Sequence, residues 1–309
     1  MSLSPATIAP TQFKIITVVL LENGELRRPQ PRHALGFLLL WLLASLVSDI
    51  LFAWFLRSPP AQAPLTAKQF YYALSILKTA LVSVGLLWLF ARGMGFDLEA
   101  TLSLRSTSSR SVYLWASLAV VALGVALSPV ISLLLELMPW LFPSGILSEA
   151  LFELIELSRF EQAQGFLAFL LAVSVGPGIG EELVFRGMVL CGLLARFRPT
   201  VAVTLTALVF GLIHIIPLQV LTASITGLFL GYLVVRTQSI YPAIVAHIVT
   251  NFWATIETSL WWASNPTWSP QNFILSASYP LWIALVAAGL TALGIYKLHA
   301  LTREAHRTA

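Results

Sequence analysis

The stretch QGFLAFLLAVSVGPGIGEELVFRGMVLCGLLAR, residues 164–196, decides the fold of this chain. Its only charged residues are Glu181, Glu182, Arg186 and, at the end, Arg196. A run so apolar cannot face water along its length. As one helix it would reach about 50 Å at a rise of 1.5 Å per residue, well beyond the roughly 30 Å hydrocarbon core of a bilayer. Pro177 stands between Gly176 and Gly178, with Gly180 next. Proline lacks a backbone donor and clashes with the preceding turn. The reading therefore predicts a kink or break at Pro177 and a helix that restarts near Gly180. The glycines have no strand–turn–helix context, so they are not a dinucleotide fingerprint.

Working outward, three apolar runs precede this stretch (36–56, 71–91, 112–138) and four follow it (201–216, 218–236, 240–257, 280–299). A spanning helix needs about 20 mostly apolar residues. In lipid only helices and closed barrels satisfy their backbone polar groups, and these runs lack the alternation of barrel strands. The expected fold is all-α: a polytopic transmembrane helical bundle of about eight spans, with a kinked, motif-bearing fourth helix. Composition agrees. Charged residues make up 10% of the chain, against roughly 25% in a soluble domain, too few to cover a water-facing surface. The ten Trp suit a membrane interface. The net charge of +4 is dispersed in gaps between apolar runs rather than gathered in a stripe, which excludes a nucleic-acid partner. A single cysteine, Cys191, permits no internal disulfide and no Cys-based zinc site.

The gaps carry a sign bias. Lys14, Arg27, Arg28 and Arg32 precede the first run, and Arg92, Arg105 and Arg110 follow the second. Arg196 and Arg198 follow the fourth, Arg236 follows the sixth, and Lys297, Arg303 and Arg307 close the chain. The alternate gaps hold fewer cations. By the positive-inside rule both termini face the cytoplasm, and the expected location is a prokaryotic plasma membrane. The chain divides into a cytoplasmic tail (1–35), three N-terminal spans (36–138), an amphipathic connector (139–163), a motif-bearing core (164–257) and a last loop, span and tail (258–309). The connector, with SEALFELIELSRF, reads equally as a surface helix or lid and as a solvated link.

Ionisable residues at membrane depth are costly, about 2.5–3.5 kcal/mol each on insertion scales, and need partners or a purpose. Glu182 and Arg186 are four apart with the acid first, the favourable order for a helical ion pair. Glu181 is rotated about 100° from Glu182 and stays unexplained by that pair. Two neighbouring carboxylates in a poorly solvated segment suit one of them to accept a proton as a general base. His214 lies four residues after Phe210, and His247 lies four before Asn251 on one helical face. Each alone reads as an interhelical hydrogen-bonding group; together with Glu181 they are four polar groups that would be solvated most cheaply in one cavity. By rise per residue, His247 comes out about 10 Å shallower than Glu181 and His214, a gap that tilt or a late helix start would close. Asp49 and Lys78 read as a structural pair across the first two spans.

GPGIGEELVFRG, then FGLIH, then AHIVTN resemble the CPBP or Abi family, which includes the type II CAAX prenyl endopeptidases. The family pattern of Glu-Glu-x-x-x-Arg, Phe-x-x-x-His and His-x-x-x-Asn falls here on Glu181/Glu182/Arg186, Phe210/His214 and His247/Asn251. The resemblance spans roughly residues 164–256. It implies an intramembrane endopeptidase acting on a membrane-associated, CAAX-type protein or peptide within the lipid bilayer. It further implies that Glu181 and His214 activate water, that His247 and Asn251 stabilise the oxyanion, and that Glu182 and Arg186 hold Glu181 in place. Zinc held by Glu181, His214 and His247 is the metal-dependent version. The His-Glu-x-x-His spacing of common zinc proteases is absent, and a mechanism without a cofactor is favoured. Two other functions fit the same residues less well: a proton- or ion-coupled transporter, which lacks an inverted repeat here, and a non-catalytic scaffold or immunity-type protein, against which the intact polar set argues.

Overall fold

A computed structural model describes residues 29–60, 62–104, 109–137, 146–265, 267 and 278–308. Residues 1–28, Arg105 and the connector's 139–145 lie outside the described residues, as does most of the loop before the last helix. Among the described residues there is no strand. The helices are α1 (Pro31–Leu56), α2 (Leu65–Met94), α3 (Leu98–Leu102), α4 (Arg110–Leu137), α5 (Ile146–Leu157) and α6 (Ala163–Glu182). A π-helical segment (Leu183–Val189) then leads into α7 (Leu190–Leu194), α8 (Pro199–Leu212), α9 (Pro217–Thr237), α10 (Tyr241–Ser264) and α11 (Leu281–Thr308). Most of each apolar run falls in one of these helices or, for the fourth, in α6, the π segment and α7 together; the fifth run, 201–216, outlasts α8 by four residues.

Among the described residues, six helices are long and apolar enough to cross a membrane: α1, α2, α4, α6 through α7, α9 and α11. The chain is an integral membrane protein. α8 is shorter, with 14 residues. α10 has the length, but His247, Asn251 and Glu257 interrupt its apolar sequence.

Burial separates the periphery from the centre. α1 turns Leu39, Leu43, Leu46, Ile50 and Trp54 outward; a helix apolar on its outward face suits lipid. The run α6–α7 is the most enclosed of the spans, packed by α2 on one side and α10 on another. α4 pairs with α11, and α8 forms a hairpin with α9. One core cluster joins Ala119 of α4, Leu230 of α9, Ala246 of α10 and Leu298 of α11. A second gathers Phe37, Leu87, Phe185, Met188 and Phe210 around the π segment.

The break expected at Pro177 is replaced by something else. α6 runs through Pro177 to Glu182, and the departure from α geometry comes at Leu183–Val189. The glycines serve packing. A Cβ on Gly180 would stand 3.1 Å from Ala80 Cα of α2, and one on Gly178 would stand 2.4 Å from Ile248 Cγ1 of α10. The run therefore lets α6 lie between two close neighbours, the use of small residues that membrane helices favour.

The expected Asp49–Lys78 ion pair forms between α1 and α2. In the connector, α5 is tied down at its C-terminal end. The Gln69 amide donates to the Leu157 and Arg159 carbonyls at 2.9 Å each, the Trp262 indole donates to the Ile155 carbonyl at 3.1 Å, and Arg159 stacks over Trp262. Cys191 is half-buried rather than enclosed.

Candidate active site

Pro177 has no N–H, so the carbonyl four residues earlier, Val173, loses its helical donor. Asn251 of α10 supplies one: its Nδ2 donates to the Val173 oxygen at 3.2 Å. This bond satisfies the orphaned group and ties α10 to α6 at the height of the site.

One turn on, α6 presents the two acids. Glu182 is fully buried. Its Oε1 accepts from Arg186 Nη1 at 2.8 Å and from His247 Nδ1 at 2.7 Å. Arg186 also donates to the Gly227 carbonyl of α9 at 3.2 Å, and its guanidinium lies 4.5 Å from the Phe210 ring centroid. A Cβ on Gly227 would stand 3.2 Å from Ala207 Cα, so glycine there lets α9 approach α8 closely. The ion pair expected from sequence is present. What spacing did not reveal is that Glu182 also orients His247.

Glu181 points elsewhere, as its rotation from Glu182 requires. Its side chain is 24% exposed and lines a cavity of about 590 Å³. His214, His247 and Asn251 line the same cavity. Opposite Glu181 stands His247, with Nε2 3.9 Å from Oε2. His247 thus faces both acids. His214 shares the cavity wall, but its recorded bond is local: Nδ1 donates to the Phe210 carbonyl at 2.8 Å. A carbonyl can only accept, so Nδ1 carries the proton and Nε2 of a neutral ring carries a lone pair.

α8 explains how His214 reaches this depth. Fourteen residues span roughly 21 Å, short of the bilayer core; in the α8–α9 turn Leu212 and Ile215 face outward while His214 lines the cavity. Non-helical backbone is tolerated there because it lines a cavity. Ile215, directly after His214, has φ 64°, a left-handed conformation that β-branched residues rarely adopt; such strain gathers at functional sites.

His247 nonetheless meets both acids in space, Nδ1 at 2.7 Å from Glu182 Oε1 and Nε2 at 3.9 Å from Glu181 Oε2. Ile240, just before α10, is buried, and its N–H bonds to the Ser103 carbonyl beyond α3 at 3.1 Å. α3 packs on the π segment, and Leu102 Cδ2 lies 2.5 Å from the place a Cβ on Gly187 would take. α10 therefore begins on a floor of protein. Phe210 ties the parts together, with its ring centroid 5.1 Å from those of His214 and Phe185 and 5.9 Å from that of His247.

Among the described residues, no three His, Cys, Asp or Glu side chains are grouped to hold a metal ion. His247 has given Nδ1 to Glu182, and His214 has given Nδ1 to a carbonyl.

Residues 163–253 match the model of the family described as Type II CAAX prenyl endopeptidase Rce1-like. No curated protein and no solved structure matches the chain. The matched segment runs from the start of α6 to two residues past Asn251 and contains Glu181, Glu182, Arg186, Phe210, His214, His247 and Asn251. The activity at family level is that of a CAAX-type intramembrane protease. Over this segment, 91 of its 309 residues, the chain is similar to the Rce1-like type II CAAX prenyl endopeptidases.

Proposed function

We propose that this protein is an intramembrane endopeptidase that hydrolyses a peptide bond in a membrane-associated, CAAX-type substrate. The observation that carries the reading is the meeting of Glu181, His214, His247 and Asn251, from three separate segments, on one cavity wall.

Water enters between Glu181 and His214. Glu181 takes its proton while His214 Nε2 accepts the other hydrogen, and the oxygen attacks the carbonyl carbon. The carbonyl π electrons move to oxygen, giving a tetrahedral oxyanion. His247 Nε2–H and the second amide hydrogen of Asn251 donate to that oxyanion. With Nδ1–H already given to Glu182, donation from Nε2 requires His247 to be an imidazolium. Charge then balances: Glu181 and Glu182 carry two negative charges, Arg186 and His247 two positive. The oxyanion collapses, the C–N bond breaks, and Glu181 returns its proton to the leaving amine. Glu182, Arg186 and Phe210 are positioning residues. No metal or other cofactor enters the scheme. In the topology proposed with it, both termini face the cytoplasm of a prokaryotic cell.

Mass spectrometry of membrane proteins from cells expressing the wild type or Glu181→Ala tests the reading. Termini that appear only with the wild type support it; identical termini overturn it. Purified protein with a CAAX peptide, farnesylated or bare, then decides whether the lipid is required.

A further inference from the structure

The cavity extends well past the catalytic groups. Its wall follows α10 from His247 through Thr250, Asn251 and Ala254 to Glu257 and Trp261. Beyond His247, the charge on that wall has one sign. Among the described residues, Glu181 and Glu257 are its acids, and no Lys or Arg lines it. Arg186 is enclosed behind Glu182 and does not contribute. An uncompensated carboxylate in a concave, poorly hydrated site favours a cation, and an indole beside it adds its own attraction for one.

We propose that Glu257 is a specificity-determining subsite of this cavity, selecting a Lys or Arg side chain of the substrate four to five residues from the scissile bond. The inference rests on the peptidase reading for the position of that bond. Glu257 lies ten residues beyond His247 on one helix, about 15 Å along its axis at 1.5 Å per residue. An extended peptide advances about 3.3 Å per residue, so roughly four to five residues cover that distance. Glu257 accepts hydrogen bonds from Tyr279 and Trp261. These fix the carboxylate but leave acceptor capacity, since a carboxylate offers about four lone-pair sites. The polar wall between the two acids, from Thr250, Asn251 and Thr258, can meet a peptide backbone.

The test uses farnesylated CAAX-type peptides in which a Lys, or its neutral isostere norleucine, is moved along the chain. Cleavage by the wild type is compared with Glu257→Gln, which keeps an acceptor for Tyr279 and Trp261 but removes the charge. Binding of the same peptides is measured on Glu181→Ala and on Glu181→Ala/Glu257→Gln. The wild type should prefer Lys over norleucine by about tenfold, the scale of one charged hydrogen bond, at four or five residues from the cut. Glu257→Gln should bring that ratio to near one, and Glu257→Lys should shift preference to acidic peptides. A Lys preference that survives Glu257→Gln, or that never appears in binding, overturns the proposal. If peptides bind with a Glu257-dependent Lys preference but none is cut, the subsite stands and the peptidase reading fails.

Discussion

Replacing Glu182 with Leu isolates the buried network from the chemistry. Glu182 accepts from Arg186 at 2.8 Å and from His247 at 2.7 Å, both within the enclosed core. Leu fills similar space but accepts neither bond. Arg186 keeps only the Gly227 carbonyl and the face of Phe210. Removing one partner of a buried ion pair typically costs about 3–5 kcal/mol, because the other charge stays buried. At about 2–4 °C per kcal/mol for a chain of some size, the melting temperature should fall on the order of 10 °C. Glu182→Leu/Arg186→Met removes both charges, and apolar replacement of a whole pair is often close to neutral. The double variant should recover most of the loss yet stay inactive, because His247 has no acceptor to orient it. Thermal unfolding in detergent, followed by tryptophan fluorescence, gives the stability, and peptide cleavage gives the activity. A single variant that melts within about 2 °C of the wild type would refute the claim that Arg186 depends on Glu182.

Three further outcomes follow. Asn251→Ala should cost about 1–3 kcal/mol by leaving the Val173 carbonyl without its donor; adding Pro177→Ala restores a helical N–H, so denaturation should show stability recovered while cleavage stays impaired. Gly178→Val should separate α6 from α10, since its Cβ would meet Ile248 Cγ1 at 2.4 Å and the Ile248 backbone nitrogen at 3.2 Å; Ile248→Ala should rescue melting temperature only in part, because the backbone contact remains. Chelator treatment of the purified protein should leave cleavage unchanged, and elemental analysis that finds stoichiometric zinc, lost together with activity, would reverse that expectation.

The sequence disclosed the helices because their apolar runs are long and uniform. The candidate site residues stood out because charge and imidazole are costly at membrane depth. What it concealed depended on which helix lies against which. The glycines around Pro177 read as a breaker, since nothing local shows that α2 and α10 press on them. Asn251 carried a second, hidden duty, although the arithmetic was present: Val173 is four residues before Pro177. The bond from Glu182 to His247 joins residues 65 apart, and no periodicity reports such a contact. The place of His247 depended on α3 lying under the start of α10, a five-residue helix too short to leave a pattern.

The most direct measurement of the central claim is cleavage of a CAAX peptide in water enriched in oxygen-18. If Glu181 activates water for direct attack, the new C-terminal carboxylate made by the wild type carries one heavy oxygen from the first turnover. Glu181→Ala should then form product at least a hundredfold more slowly, roughly the contribution of a general base. Product formed at the wild-type rate by Glu181→Ala, or a wild-type product without the label, would contradict the account.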